Sequence, residues 1–126
     1  PAPGRGTILG LADEPTVRML AVEGARDAGY HVLEAEDGPG ALAILDQGHD
    51  IDLLMTDVGL PGGLNGRQVA DAALARIPAL RVIFITGYAE NAVLNHGHIE
   101  QGMEVLTKLF AVDELRRRVA ILLQSE

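Results

Sequence analysis

Cysteine is absent from the chain, which excludes disulfides and thiolate metal sites. Such usage is compatible with the cytoplasm, the location expected here. Tryptophan is absent as well, and aromatic residues make up only 3%. A core must therefore come from Leu, Val, Ile and Ala, and with 48% hydrophobic residues there are enough of them. That composition argues against disorder and suits helices packed on a parallel sheet. Basic residues are scarce, 10 against 18 acidic ones, for a net charge of -8. A surface of that sign repels nucleic-acid phosphates, so no nucleic-acid partner is expected. Long apolar runs are missing too. Stretches such as 82–85 fall far short of the roughly 20 residues needed to cross a bilayer, and no membrane contact by this domain is expected. Residues 1–6 lack the apolar stretch of a secretory signal and read as a tail or linker. The remainder, 7–126, has the length of one compact domain.

What is present is an alternation of short apolar runs with longer amphipathic ones. Residues 7–11 form a strand candidate. Residues 14–28 follow with Val17, Leu20, Ala21, Ala25 and Ala28 at helical spacing. Pro15 sits where a missing N–H costs nothing, and Gly29 is a helix stop. The pattern continues with strand 31–35, helix 39–46 closed near Gly48, and the almost wholly apolar strand 51–56. Helix 68–77 then stops at Pro78, and strand 81–86 is rich in β-branched residues. Residues 89–95 give a weak helix and 104–107 a short strand. Residues 112–124 give a strong final helix with Val112, Leu115, Val119, Leu122 and Leu123 on one face. Five strands alternating with five helices predict an α/β fold, a flavodoxin-like (βα)5 doubly wound parallel sheet with strand order 2-1-3-4-5.

Open parallel sheets bind ligands beyond the carboxyl ends of their strands. The first strand runs out into Ala12, Asp13 and Glu14, and the third into Thr56 and Asp57. The fourth ends in Ile85, Thr86 and Gly87, and the fifth in Thr107 and Lys108. The predicted order therefore gathers carboxylates, a hydroxyl and an ammonium at one edge. A carboxylate can attack phosphorus and form an acyl phosphate. It needs a cation to offset the incoming charge, and Mg²⁺ binds through one or two carboxylates while taking phosphate oxygens as further ligands. Asp13 and Asp57 can supply those carboxylates, and the backbone carbonyl of Gly59 a further oxygen. Lys108 can meet a phosphoryl oxygen as a point charge, and Thr86 can donate a hydrogen bond to another. After Asp57, the glycines at 59, 62, 63 and 66 with Pro61 let the backbone turn sharply.

The segments ILGLADEPTVR, LLMTDVGLPGGLNG, VIFITGYA and VLTKLF, in this order on successive strand ends, resemble the receiver domain of bacterial two-component response regulators. The likeness covers roughly residues 7–123. It implies a phosphoacceptor module of a phosphorelay, with Asp57 phosphorylated by a histidine kinase or histidine phosphotransfer protein and with Mg²⁺ as cofactor. By the same likeness Asp13 binds the metal directly, Thr86 moves to meet the phosphoryl group and Lys108 is the family lysine. A receiver–receiver dimer is a further partner the family admits. The wording LLMTDVGLPGGLNGRQVAD is similar to receivers fused to the C-terminus of hybrid sensor histidine kinases. The module itself would not turn over substrate, although a parent chain could be a kinase.

Two departures from the family pattern stand out. The first acid of the usual pair after strand one is Ala12, which removes a charge from the metal site. The residue after the family lysine is Leu109 rather than proline, and a cis bond before a non-proline residue costs about 2.5–4 kcal/mol, so the Lys108–Leu109 bond is expected to be trans. Both predict weakened metal binding and phosphorylation. The family's signalling aromatic on strand five falls on Val105, so readout by an aromatic swing is not available. A degenerate, phosphorylation-independent interaction module is thus the alternative reading. A phosphatase using an aspartyl phosphate would need a second aspartate two residues after the nucleophile, where Gly59 stands. A flavin site would need a phosphate loop after strand one and aromatics to sandwich the ring. Asp13 and Glu14 could simply favour a helix N-terminus, and that role suits Glu14. Thr86 and Lys108 taken singly could be ordinary strand-edge residues. His96 and His98 are too few for a metal site and read as a solvated loop. Arg116, Arg117 and Arg118 read as an exposed helix face, and Gly4 and Gly6 precede a strand rather than follow one, so they form no dinucleotide fingerprint.

Overall fold

The computed structural model describes residues 6–12, 14–48, 50–59, 64–86, 103–107 and 112–124. Strands β1 (Thr7–Leu11), β2 (His31–Ala35), β3 (Leu53–Asp57), β4 (Arg81–Thr86) and β5 (Met103–Thr107) form a single sheet. All of its pairings are parallel and its order is β2-β1-β3-β4-β5, as the alternating pattern predicted. Helices α1 (Pro15–Asp27), α2 (Gly38–Asp46), α3 (Gly66–Arg76) and α4 (Val112–Gln124) cover its two faces. The helix expected at 89–95 lies outside the described residues.

Strand β3 is buried along its whole length, which explains its unbroken apolar run. Its side chains alternate between two cores. Leu54 packs with Phe84, Val69, Ala70 and Ala73 beneath α2 and α3. Leu53 and Met55 pack with Ile83, Ala21, Leu115 and Val119 beneath α1 and α4. The small alanines of α1 and α3 let those helices lie close on the branched side chains of the sheet.

Several helix ends follow from single residues. Pro15 opens α1, and Gly29 takes φ 101° just past its end. Gly48 does the same for α2 with φ 85°. Asp37 caps α2 by accepting from the Gly40 amide at 2.8 Å. Ile77, placed before Pro78, leaves the helical region and ends α3.

Three expectations are corrected. Helix α3 starts at Gly66 rather than at 68, because Asn65 and Gln68 form a reciprocal capping box with bonds of 2.8 and 2.9 Å. Strand β3 starts at Leu53 rather than at 51. Asp52 instead turns its carboxylate onto the Thr7 amide at 2.8 Å. On α1, Ala21, Val22 and Ala25 face the core, whereas Leu20 is 41% exposed and Met19 63% exposed.

Candidate functional site

The carboxyl ends of the central strands lie side by side. Register pairs Leu11 of β1 with Thr56 of β3, Thr56 with Phe84 of β4, and Phe84 with Val105 of β5. One step further along, Asp57 pairs with Ile85, and a step beyond that Thr86 pairs with Thr107. Asp57 is thus the last residue of the central strand and is 0% exposed. Alternation puts it on the same face as Leu53 and Met55, toward the α1–α4 layer. Thr86 is the last residue of the neighbouring strand β4. Asp13 and Lys108 lie outside the described residues.

The peptide of Asp57 is held on several sides. The buried Thr56 hydroxyl donates to the Asp57 carbonyl at 2.9 Å. The Val58 amide donates to the Ile85 carbonyl at 3.2 Å, and the Val58 carbonyl accepts from the Gly66 amide at 2.7 Å. The last of these bonds joins the residue after β3 to the first residue of α3. Gly66 is helical and is not among the positive-φ glycines of the described residues. It is a glycine for want of space rather than for the sharp turn the sequence suggested: a Cβ there would lie 2.0 Å from the Asp57 carbonyl oxygen. The sequence reading missed Thr56 as more than a strand residue. A hydroxyl amid the apolar run of β3 was the available signal.

At the end of β1, Ala12 is 2% exposed. Its carbonyl accepts from Arg18 Nη1 at 2.8 Å. Arg18 also faces Glu34 at 3.6 Å and Glu36 at 3.9 Å. A small cavity beside it is lined by Ala12, Arg18, Met55 and Ile85, among others. Glu14 stands at the N-cap of α1, where its side chain makes no capping hydrogen bond.

The donor set was tested against Mg²⁺. Among the described residues no group of three or more His, Cys, Asp or Glu could hold a metal, so a closed all-protein cage is excluded for them. One buried carboxylate at a strand end, followed two residues later by the exposed backbone of Gly59, is the sparse oxygen set that Mg²⁺ accepts while keeping waters. A second carboxylate for such a set, Asp13 in the sequence reading, lies outside the described residues. The arginines of α4 serve structure. Arg116 donates to the Gly24 carbonyl at 3.1 Å and faces Asp27 of α1, while Arg117 and Arg118 both bond Glu114.

Comparison with known proteins agrees with this geometry. Residues 8–120 match the family described as the response regulator receiver domain. The sensor kinase CckA of Brucella abortus is 31% identical over 124 residues, 98% of this chain. The chain spans only 13% of that kinase's length. The response regulator receiver protein CpdR of the same organism is 32% identical over 108 residues, 86% of this chain and 88% of CpdR. The solved receiver domain of the hybrid histidine kinase CckA superposes with a TM-score of 0.79 at 35% identity, covering 94% of this chain and all of that one. With its sheet order, its strand-end aspartate and its family match in agreement, this chain belongs to the response regulator receiver domain family of two-component systems.

Proposed function

We propose that Asp57 is the phosphoacceptor of a phosphorelay. The observation that carries the reading is the placement of its carboxyl: buried, at the end of the central strand, between the ends of β1 and β4. The donor is a phosphohistidine of a histidine kinase or a histidine phosphotransfer protein. A carboxylate oxygen of Asp57 attacks phosphorus, the P–N bond breaks, and the imidazole leaves with the electron pair and picks up a proton. Asp13, Asp57 and the Gly59 carbonyl hold Mg²⁺, which when bound offsets the phosphoryl charge. Thr86 donates to one phosphoryl oxygen and Lys108 meets another. The likeness to a hybrid-kinase receiver supports a parent chain that is itself a hybrid histidine kinase.

Ala12 and Leu109 are the two departures from the receiver pattern. These two residues favour a second reading, a degenerate receiver that binds partners without phosphorylation. The two readings separate by intact mass after incubation with acetyl phosphate and Mg²⁺, beside Asp57→Ala. A phosphate-sized gain that requires both Mg²⁺ and Asp57 is the expected result. No gain at any Mg²⁺ concentration would replace the phosphoacceptor reading with the degenerate one.

A further inference from the structure

The Asp57 carbonyl is confined from two directions. On one side it accepts the hydroxyl of Thr56, itself buried in the core. On the other it faces the Cα of Gly66, the first residue of α3. A Cβ at Gly66 would lie 2.0 Å from the Asp57 carbonyl oxygen, 2.9 Å from its carbonyl carbon and 3.0 Å from Val58 Cα. A Cβ essentially never comes within 3.0 Å of another heavy atom in this way, and all three neighbours are backbone. Something must therefore move if a side chain is added.

The surroundings decide what moves. Helix α3 is anchored by Val69, Ala70 and Ala73, all fully buried, and by the Asn65–Gln68 capping box. Strand β3 is paired with both β1 and β4 at Thr56, and its last residue, Asp57, pairs with Ile85 of β4. The Asp57–Val58 peptide, held by the Thr56 hydroxyl and the Ile85 carbonyl at the end of that ladder, yields before the buried helix does.

We infer that Thr56 and Gly66 are positioning residues for the phosphoacceptor: the hydroxyl of one and the missing side chain of the other fix the peptide from which the Asp57 carboxylate projects. The inference rests on the phosphoacceptor reading of Asp57. Neither residue touches the phosphoryl group. They act by setting where the carboxylate stands relative to its attack line, and a misplacement of about 1 Å costs on the order of 100-fold in rate.

The test is the rate of loading by acetyl phosphate at saturating Mg²⁺, corrected for the folded fraction. Gly66→Ala should lower it about 100-fold. Thr56→Val removes the hydroxyl without adding bulk and should lower it about tenfold, whereas Thr56→Ser keeps the hydroxyl and should load close to wild type. Asn65→Ala weakens the cap of α3 without crowding Asp57, so its folded protein should load normally. Should Gly66→Ala not fold, the Thr56 pair decides. Equal rates for Thr56→Val and wild type, or losses that merely follow the folded fraction as in Asn65→Ala, would overturn the inference alone. A wild type that does not load would instead remove the phosphoacceptor reading, and this inference with it.

Discussion

Ala12 directly follows β1, at the position where the receiver likeness implies an acid. The residue is buried, its carbonyl is clamped by Arg18, and a small cavity opens beside it. Ala12→Asp would return an acid to that space. Outer-shell carboxylates are worth about 10- to 100-fold in metal affinity. The low end is expected here, because Arg18 lies within reach to compete as an ion-pair partner. A Mg²⁺ titration of the beryllofluoride-dependent NMR shifts should therefore show a gain of about tenfold, and Leu109→Pro should speed loading by acetyl phosphate. An unchanged titration would remove Ala12 as a cause of weak binding, and unchanged loading would do the same for Leu109. At this scale the sequence was most legible where a residue type carries chemistry: Asp57 was picked out by type and position. It was least legible where a residue acts through space it leaves empty or through a bond to the main chain. The Gly66 letter looks the same whether it relieves a strained φ or a crowded neighbour, and nothing in the Thr56 letter reveals that its hydroxyl reaches the next carbonyl.

Among elements, helices α2 and α3 are tied at their far ends by Arg76, which donates to Asp46 at 2.7 Å. That hydrogen bond holds the Asp46 carboxyl below its usual pKa and raises that of Arg76. A carboxyl whose folded pKa is depressed contributes stability at pH values above its unfolded pKa. The contribution is lost as pH falls through the folded value. Both groups are solvent-exposed, so the pair should do little for overall stability and show itself chiefly in titration. The NMR titration of Asp46 should move up to the ordinary aspartate range in Arg76→Gln, and part of the way in 1 M NaCl, an ionic strength at which exposed pairs are largely screened. An Asp46 midpoint indifferent to Arg76 would refute the pairing. Element types and their order were readable from periodicity, since β3 lies between two apolar layers and must be apolar throughout. Boundaries were less so. Gly66 reads as a breaker, yet Asn65 and Gln68 start the helix around it, and Asp52 looks like a strand residue until its carboxylate is seen on Thr7.

At the scale of the whole molecule, the proposed site joins the ends of β1, β3, β4 and β5, four neighbouring strands of one sheet. A ligand held across those ends binds only the folded chain, so its binding free energy adds to stability. At a concentration about 100 times its Kd the gain is about 2.7 kcal/mol. For a chain of 126 residues, with an unfolding entropy of about 2.1 cal/mol/K per residue, that corresponds to a rise in Tm of about 10 °C. Beryllofluoride with Mg²⁺ should produce such a rise in the wild type and none in Asp57→Ala, and either component alone should produce far less. A wild type whose Tm stays flat at every concentration has no phosphoryl-shaped site joining its strands, as the degenerate reading requires. A rise that survives Asp57→Ala would place the ligand elsewhere on the molecule. The thermal shift and the intact mass thus fail in different ways, one reporting occupancy and the other bond formation. A chain that shows the shift without the mass gain would have kept the geometry of a receiver while losing its chemistry.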